Sequence, residues 1–455
     1  MRIRRFTSIL LLTFLVKSLS AQEVITFELA SEAVEHMRLG WNLGNTLDSN
    51  SGDTLRMWIE ANKNRTPTSY ETAWGQKVTQ AKLFKLFKEA GFNAVRVPVT
   101  WYPHMEATFS SVNGYDDNGT WSYTPWLPSN DDIGTKIQKT WMRRVRQIVD
   151  YIVKQGMYCI LNIHHDTGAS NTAWLIADEE VYARQHERFE AIWTQIAEEF
   201  RDYDEHLLFE GYNEMLDANH SWCYAQFGST QGYDDAKAKA SYKAINNYAQ
   251  SFVNAVRATG GNNLQRNLVV STYAACDGNG TWSSHLQDPL KEMQLPTDVV
   301  DGHLLFEVHC YPDISTLASA KSNLNKTISQ LKAYLVKKGA PVIIGEWGIS
   351  GGGDNRDNHI EFVKFFAQRC KENGIGLFHW MGLSDGEHRT VPEFNEQDLV
   401  DAMVEGFYGE GGYVDGIEIP YAPQPQDSKC FNLSGIPSSD KQHGIYLKNG
   451  KKYIK

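Results

Sequence analysis

The chain is predicted to be an α/β protein: a (β/α)8 TIM barrel with long loops on its C-terminal face and a short C-terminal tail. Three observations carry that expectation. Short apolar runs alternate with amphipathic segments along most of the chain, the pattern of βα units around a parallel sheet. Eight such runs occur within 455 residues, enough for one barrel with additions. No Gly-rich phosphate loop follows the first run, which argues against a doubly wound open sheet.

The strand candidates, in order, are 39–47, 94–101, 157–165, 207–214, 267–275, 304–311, 341–348 and 376–382. Runs that are apolar almost throughout belong to strands covered on both faces, as in a barrel wall. Between them the spacing of apolar residues predicts helices over 77–90, 136–155, 182–200, 237–259, 323–338 and 359–373. Gly91, Gly156, Gly260 and Gly339 follow four of these as stop signals. Two stretches exceed what a barrel connection needs. Residues 106–132, rich in Gly, Asp, Asn and aromatics, follow the second strand, and 217–235 follow the fourth. Both leave strand C-terminal ends, where barrel enzymes keep their sites, so both are expected to shape a cleft. There is no internal repeat or low-complexity block.

The first residues, MRIRRFTSILLLTFLVKSLSAQE, combine a basic start, an apolar stretch from Ile9 to Val16 and a small-residue site ending at Ala21. This predicts a cleaved export signal over 1–21, because the apolar run is too short to span a membrane. The barrel domain then covers 22–408, and the expected location is periplasmic, cell-surface or extracellular. Residues 409–455 form a turn-rich, then strand-like and basic extension. Its LSG…GIY…NGKK ending resembles the C-terminal tails of exported Bacteroidetes proteins. The alternative is a terminal hairpin packed on the barrel.

A net charge of −11 with scattered Lys and Arg argues against a nucleic-acid surface. Aromatics make up 12% of the chain, and many of its 13 Trp fall in polar stretches, where they point to a ligand face. Six cysteines make no dense framework. Cys159, Cys310 and Cys370 lie in apolar patterns and read as buried thiols, whereas Cys223 and Cys276 fall in loops and can pair in an oxidising compartment.

Glu214 and Glu346 each follow an apolar run and stand 132 positions apart, so only folding can bring them together. Two carboxylates at strand ends are the minimal equipment for hydrolysing a glycosidic bond. Side chains alternate along a strand, which puts Arg96, His164 with Asn162, His309 with Tyr311, and Trp380 with Phe378 on inward faces. Polar residues at the ends of six strands are costly to bury and hard to explain as packing. Glu210 and Glu307 are rival carboxylates, but each lies about 13 Å below its expected strand end, too deep to meet a substrate. His164, His165 and Asp166 lack a further ligand at a useful spacing, so no metal or other cofactor is expected.

The segments GWNLGNTLD, AVRVPVTW, LNIHHD, GYNEM, VHCY, IGEWG and HWMG occur in this order and at barrel spacing. Together they resemble glycoside hydrolase family 5, the cellulase-type retaining hydrolases, over 37–403. The resemblance implies that Glu214 is the acid/base and Glu346 the nucleophile. It implies that Arg96, His164, His165, Asn213, His309, Tyr311 and Trp380 bind substrate or support the pair. Two departures are Met215, where Pro is common in the family, and Trp347, where Phe is common. Trp121, Trp126, Trp174 and Trp282 are expected to offer faces to neighbouring sugars. The expected activity is an endo-β-1,4-glucanase acting as a monomer on a β-linked polysaccharide, without nucleic acid or a membrane span. Xylanase, xyloglucanase and mannanase are alternatives with the same chemistry. A non-catalytic carbohydrate-binding barrel is an alternative of another class, against which the retention of both carboxylates argues.

Overall fold

The eight apolar runs pair edge to edge into a closed parallel barrel. In this computed structural model the described residues are 26–50, 66–105, 134–170, 172–222, 233–280, 283–352 and 355–413, with the backbone of short strands at 114–115, 121–122 and between 430 and 454. The barrel strands are β1 (Leu39–Asn42), β2 (Phe92–Val97), β3 (Tyr158–Asn162), β4 (Leu207–Glu210), β5 (Leu268–Cys276), β6 (Leu304–Cys310), β7 (Val342–Trp347) and β8 (Gly376–His379). Each pairs with its successor, and β8 closes on β1 through Gly40↔Phe378 and Trp41↔His379.

A helix follows every strand: α1 (Ala81–Glu89), α2 (Lys139–Val153), α3 (Glu179–Glu199), α4 (Asp235–Ala258), α5 (Asp288–Glu292), α6 (Leu317–Tyr334), α7 (Arg356–Glu372) and α8 (Gln397–Tyr408). Asp178 and Asp234 start α3 and α4 by accepting two backbone N–H groups each, and Asn355 does the same for one N–H of α7. The four expected stop glycines all have positive φ. The short α5, the terminal α8 and a helix at Ala30–His36 lay outside the expected set. The last helix places Ala30, Ala33, Val34 and Met37 against Ala94, Ile160, Leu208, Val269, Leu305, Ile343 and Phe378, so it plugs the bottom of the barrel.

Several strands stop earlier than their apolar and polar patterning predicts. The fourth was expected to run to Glu214 but ends at Glu210, and the first ends at Asn42 rather than 47. Above these points the backbone bonds alternately to one neighbour and the other, as when Gly211 N–H donates to Val269 and Asn213 N–H to Ile163. A regular ladder is lost there, although the chain remains held.

The barrel interior is layered. Above the apolar floor come Asn42, Arg96, Asn162, Glu210, Ser271 and Glu307, all fully buried. On β7 the alternation breaks. A Cβ on Gly345 would meet Oε1 of Glu307 at 2.2 Å, so Gly345 faces inward, yet its neighbour Glu346 also reaches the interior. The register against β6 slips between Val308 and His309, and against β8 between Leu377 and His379. A bulge of this kind re-aims one side chain, and here Nδ2 of Asn42 donates to the Gly345 carbonyl (2.9 Å) beside it.

The tail forms a small four-stranded antiparallel sheet, with strands at Cys430–Asn432, Pro437–Ser438, Ile445–Lys448 and Lys451–Ile454. Among the described residues, no helix is long and apolar enough to cross a membrane. Residues 1–21 and Cys223 lie outside the described residues. Cys276 is in a disulfide, while Cys159, Cys310 and Cys370 are buried free thiols.

Candidate active site

Arg96, projecting inward from β2, organises the site. Its five N–H groups are all engaged: Nε and Nη2 donate to the two oxygens of Glu210 (2.6 and 2.7 Å), Nη2 also to Oδ1 of Asn213 (2.8 Å), and Nη1 to Oδ1 of Asn42 (3.0 Å) and Oε1 of Glu346 (2.7 Å). Burial opposes its charge, but Glu210 and Glu346 more than compensate and hold the guanidinium well above its ordinary pKa. Glu210 therefore does not meet the cleft, yet it stands only one side chain away from Glu346.

Glu346 accepts from Arg96 on one oxygen and from the Tyr311 hydroxyl (2.8 Å) on the other. Burial pushes its carboxyl up to about 7, against the pull of His309 and Arg96, while Glu214 adds to the rise. Tyr311 leaves 42% of its surface open to the cleft and buries its hydroxyl end against Glu346. Glu214, in the loop after β4, is the more open of the pair, its side chain 23% exposed against 5% for Glu346. His309 joins them, with Nδ1 at 2.7 Å from Oε1 of Glu214 and 3.5 Å from Oε2 of Glu346. Oxygens of the two carboxylates lie within 4.8 Å of one another. A pair in which one carboxylate attacks directly has its carboxyl groups roughly 5–5.5 Å apart, and facing oxygens within 4.8 Å are compatible with that arrangement.

His164 is fixed by Asn162, whose Oδ1 accepts from Val99 N–H (3.1 Å) and whose Nδ2 must then donate to Nδ1 of His164 (3.1 Å). The imidazole proton is thereby on Nε2, which points at Oε1 of Glu346 from 3.9 Å. Burial, assisted by His165, holds this ring neutral. Asn213 keeps its Nδ2 as a donor for a ligand, since Arg96 occupies its oxygen. Trp380 is partly exposed above His164, with ring centroids 5.6 Å apart and planes within 9°. The backbone after it is strained, as Met381, Gly382 and Leu383 have φ of 27°, 69° and 66°. The turn is held by Nε1 of Trp41 on the Gly382 carbonyl (3.2 Å) and Nδ1 of His379 on that of Met381 (2.9 Å). Gly44 packs beneath, where a Cβ would approach Cη2 of Trp380 to 3.1 Å.

The structure thus brings all nine expected site residues into one contact network, His165 through its ring edge on His164 (centroids 4.5 Å). His165 stands at its edge, 31% exposed by side chain, beside Trp74 (centroids 5.6 Å) and 3.9 Å from Oδ2 of Asp48. Trp74, Asp48, Asn42 and Glu210 were not singled out from sequence as site residues. Asn42 and Asp48 do lie in the GWNLGNTLD segment, which was the available signal. Trp174 was expected on the ligand face but is buried, donating from Nε1 to Asp166 (2.6 Å), which also accepts from the N–H groups of Trp101 and Tyr102. The Asp166 carboxylate needed donors, and an indole edge supplied one. The side chains of Trp121, Trp126 and Trp282 lie outside the described residues.

Among the described residues, two groups have the composition of a cation site, Asp48–His164–His165 and Glu214–His309–Glu346. The first supplies the further ligand that spacing alone did not reveal. Asp48 already accepts a backbone N–H on each oxygen, from Asn45 (3.1 Å) and Thr46 (2.6 Å), and His164 turns an N–H rather than a lone pair toward the cleft.

A parallel barrel with two close carboxylates at its C-terminal mouth defines a retaining glycoside hydrolase. The sequence profile of the cellulase family, glycosyl hydrolase family 5, matches residues 59–385, and the chain belongs to that family. Among solved structures it is similar to a broad-specificity GH5-4 endoglucanase from an uncultured bacterium, at 43% identity and a TM-score of 0.75, covering 86% of this chain and 98% of that one. It is also similar to a Prevotella bryantii family 5 enzyme in complex with a xyloglucan tetradecasaccharide, at 36% identity and a TM-score of 0.68, covering 84% of this chain and 99% of that one. Among curated proteins, Endoglucanase B of Neocallimastix patriciarum is 30% identical over 81% of this chain and 68% of its own length. Endoglucanase A of Clostridium longisporum is 28% identical over 83% of this chain and 66% of its own length. The chain therefore spans about two thirds of these curated relatives.

Proposed function

We propose that the protein is an endo-β-1,4-glucanase working by double displacement, with Glu346 as nucleophile and Glu214 as acid/base. The observation that carries this reading is the asymmetry of the close pair. Glu346 takes a donor on each oxygen, from Arg96 and Tyr311, which favours its anion, while Glu214 is the more solvent-open partner. Attack by Glu346 at the anomeric carbon breaks the glycosidic bond as Glu214 protonates the departing oxygen. Glu214, now ionised, then takes a proton from water, and the resulting hydroxide equivalent displaces Glu346 to release the sugar. Asn213 offers its N–H groups to a sugar hydroxyl, and Trp380 offers a flat apolar face to the ring under attack.

For the substrate, the endoglucanase relatives support a β-1,4-glucan backbone. The xyloglucan bound to the Prevotella bryantii enzyme supports tolerance of side branches on that backbone. Reducing-sugar release from carboxymethylcellulose, mixed-linkage glucan, xyloglucan, xylan and mannan tests this. Activity on the three glucans is expected, and activity confined to xylan or mannan would overturn it. Export through residues 1–21, with 409–455 as a sorting tail, remains a proposal from sequence. It is tested by N-terminal sequencing of protein recovered from the native cell envelope and medium.

A further inference from the structure

Two buried ion pairs lie directly beneath the reacting carboxylates, and they are built alike. In the first, Glu210 holds Nε and Nη2 of Arg96 while Nη1 reaches Glu346. In the second, Oε1 of Glu307 lies 2.7 Å from Nε2 of His309, while Nδ1 of the same ring faces Glu214 and Glu346. Glu307 is completely buried and cannot touch substrate. Its Oε2 accepts from the hydroxyl of Ser271. Its Oε1 and Nε2 of His309 make no well-aligned hydrogen bond among the described residues, so their 2.7 Å approach, off the ring's N–H axis, is an ion-pair contact. Gly345 leaves room for this contact, because a Cβ there would overlap the same oxygen.

The ring therefore meets a carboxylate oxygen at 2.7 Å on each nitrogen. A neutral imidazole has only one N–H, so with both carboxylates ionised one of these contacts would set a lone pair against a negative oxygen, whereas an imidazolium presents a donor to each. We propose that Glu307 is a positioning residue that keeps His309 doubly protonated, so that an imidazolium faces Glu214 and Glu346 during turnover.

The consequence is electrostatic. The His309–Glu307 pair is neutral overall, but its positive end is the one nearer the reacting carboxylates, as in the Arg96–Glu210 pair. Both favour an ionised Glu346 inside a buried site. An N–H from His309 on Oε1 of Glu214 also leaves the transferable proton to the other oxygen of that carboxyl. The charged and titratable groups facing His309 among the described residues enter this balance: Glu214 after β4, Glu346 on β7, Glu307 and Tyr311 around β6, Arg96 on β2, His164 after β3 and Asp277 after β5. Burial works against the charge, yet the surrounding carboxylates hold His309 well above the ordinary histidine value and Glu307 below that of a free glutamate.

The inference rests on the assignment of Glu214 and Glu346 as the reacting pair, so its test has an arm that does not. Nitrogen-15 NMR of the histidine-labelled wild-type enzyme should show one imidazole, assigned by its loss in His309→Asn, with both nitrogens protonated at pH 8. A neutral His309 at pH 8 would overturn the proposal whatever the two glutamates do. In Glu307→Gln that signal should revert to a neutral ring. The acidic limb of kcat/KM on an aryl β-cellobioside should also move upward by at least about half a pH unit, because Glu346 loses a cation. A rate lowered equally at all pH values, with the limb unmoved, would mean that Glu307 only packs, and would also overturn it.

Discussion

Trp380 and His164 lie nearly parallel at the barrel mouth, 5.6 Å apart with an interplanar angle of 9°. The rings follow β8 and β3, just past their C-terminal ends, and lie beside Glu346, whose Oε1 is 3.9 Å from Nε2 of His164. Trp380 thus presents its other face to whatever occupies the cleft. Trp380→Ala should lower kcat/KM by about 2–4 kcal/mol while the fold survives, because the residue is at the cleft rather than in mid-core. Gly44→Ala should give a smaller loss of the same kind, since its methyl would press on the indole. Full activity of Trp380→Ala on long and short oligosaccharides would place the cleavage point elsewhere.

Glu346→Ala and Glu214→Ala should each lose about three or more decades of rate on polysaccharide, because each removes a group that acts in the transition state. An activated aryl glycoside separates the two roles. Its leaving group needs little protonation, so Glu214→Ala should keep a burst of phenol release and be rescued by azide with formation of the β-glycosyl azide. Glu346→Ala should stay inactive in that reaction. The opposite pattern would exchange the assignments.

The pH profile should carry the mark of burial. Desolvation raises the Glu346 carboxyl above the ordinary glutamate value, and the reactive form is the anion. Activity is therefore present above the raised pKa and lost as pH falls through it. The acidic limb of kcat/KM should lie well above about 4.3, and a limb at or below that value would show that Arg96 and His309 outweigh desolvation.

Turnover should not depend on a metal. Asp48 already accepts a backbone N–H on each oxygen, and the one lone pair of the neutral His164 ring accepts from Asn162. Dialysis against EDTA should leave the rate within error. A large loss restored by zinc would make Asp48, His164 and His165 the ligands to examine.

Stability should be sensitive at Asp166, in the loop just beyond His164 and His165. The carboxylate is fully buried and accepts from the N–H groups of Trp101 and Tyr102 and from Nε1 of Trp174. Asp166→Ala would leave three buried donors unpaired, which at roughly 1–3 kcal/mol each predicts a loss of at least about 3 kcal/mol. The midpoint of urea unfolding measures it, and a change below about 1 kcal/mol would mean that water replaces the carboxylate.

Local pattern was enough to read the eight strands, their order and the two glutamates. A buried parallel strand is apolar almost throughout, and a polar residue just beyond one is conspicuous. Parity along β2, β6 and β8 likewise turned Arg96, His309 and Trp380 inward before any contact was known. Other features depend on how one strand is placed against another. The slip in register around β7 aims Glu346 into the barrel beside an inward-facing Gly345. Asp48 meets His165 across more than a hundred residues of chain, and Trp174, aromatic in a polar stretch like a ligand shelf, turns down to satisfy Asp166. Glu210 and Glu307 looked like carboxylates buried out of reach, and became the counter-ions of Arg96 and His309. Apolar periodicity is written residue by residue and survives without a fold. The partner of a buried charge is chosen by whichever strands the closed barrel sets side by side, and that choice exists only once the chain has closed.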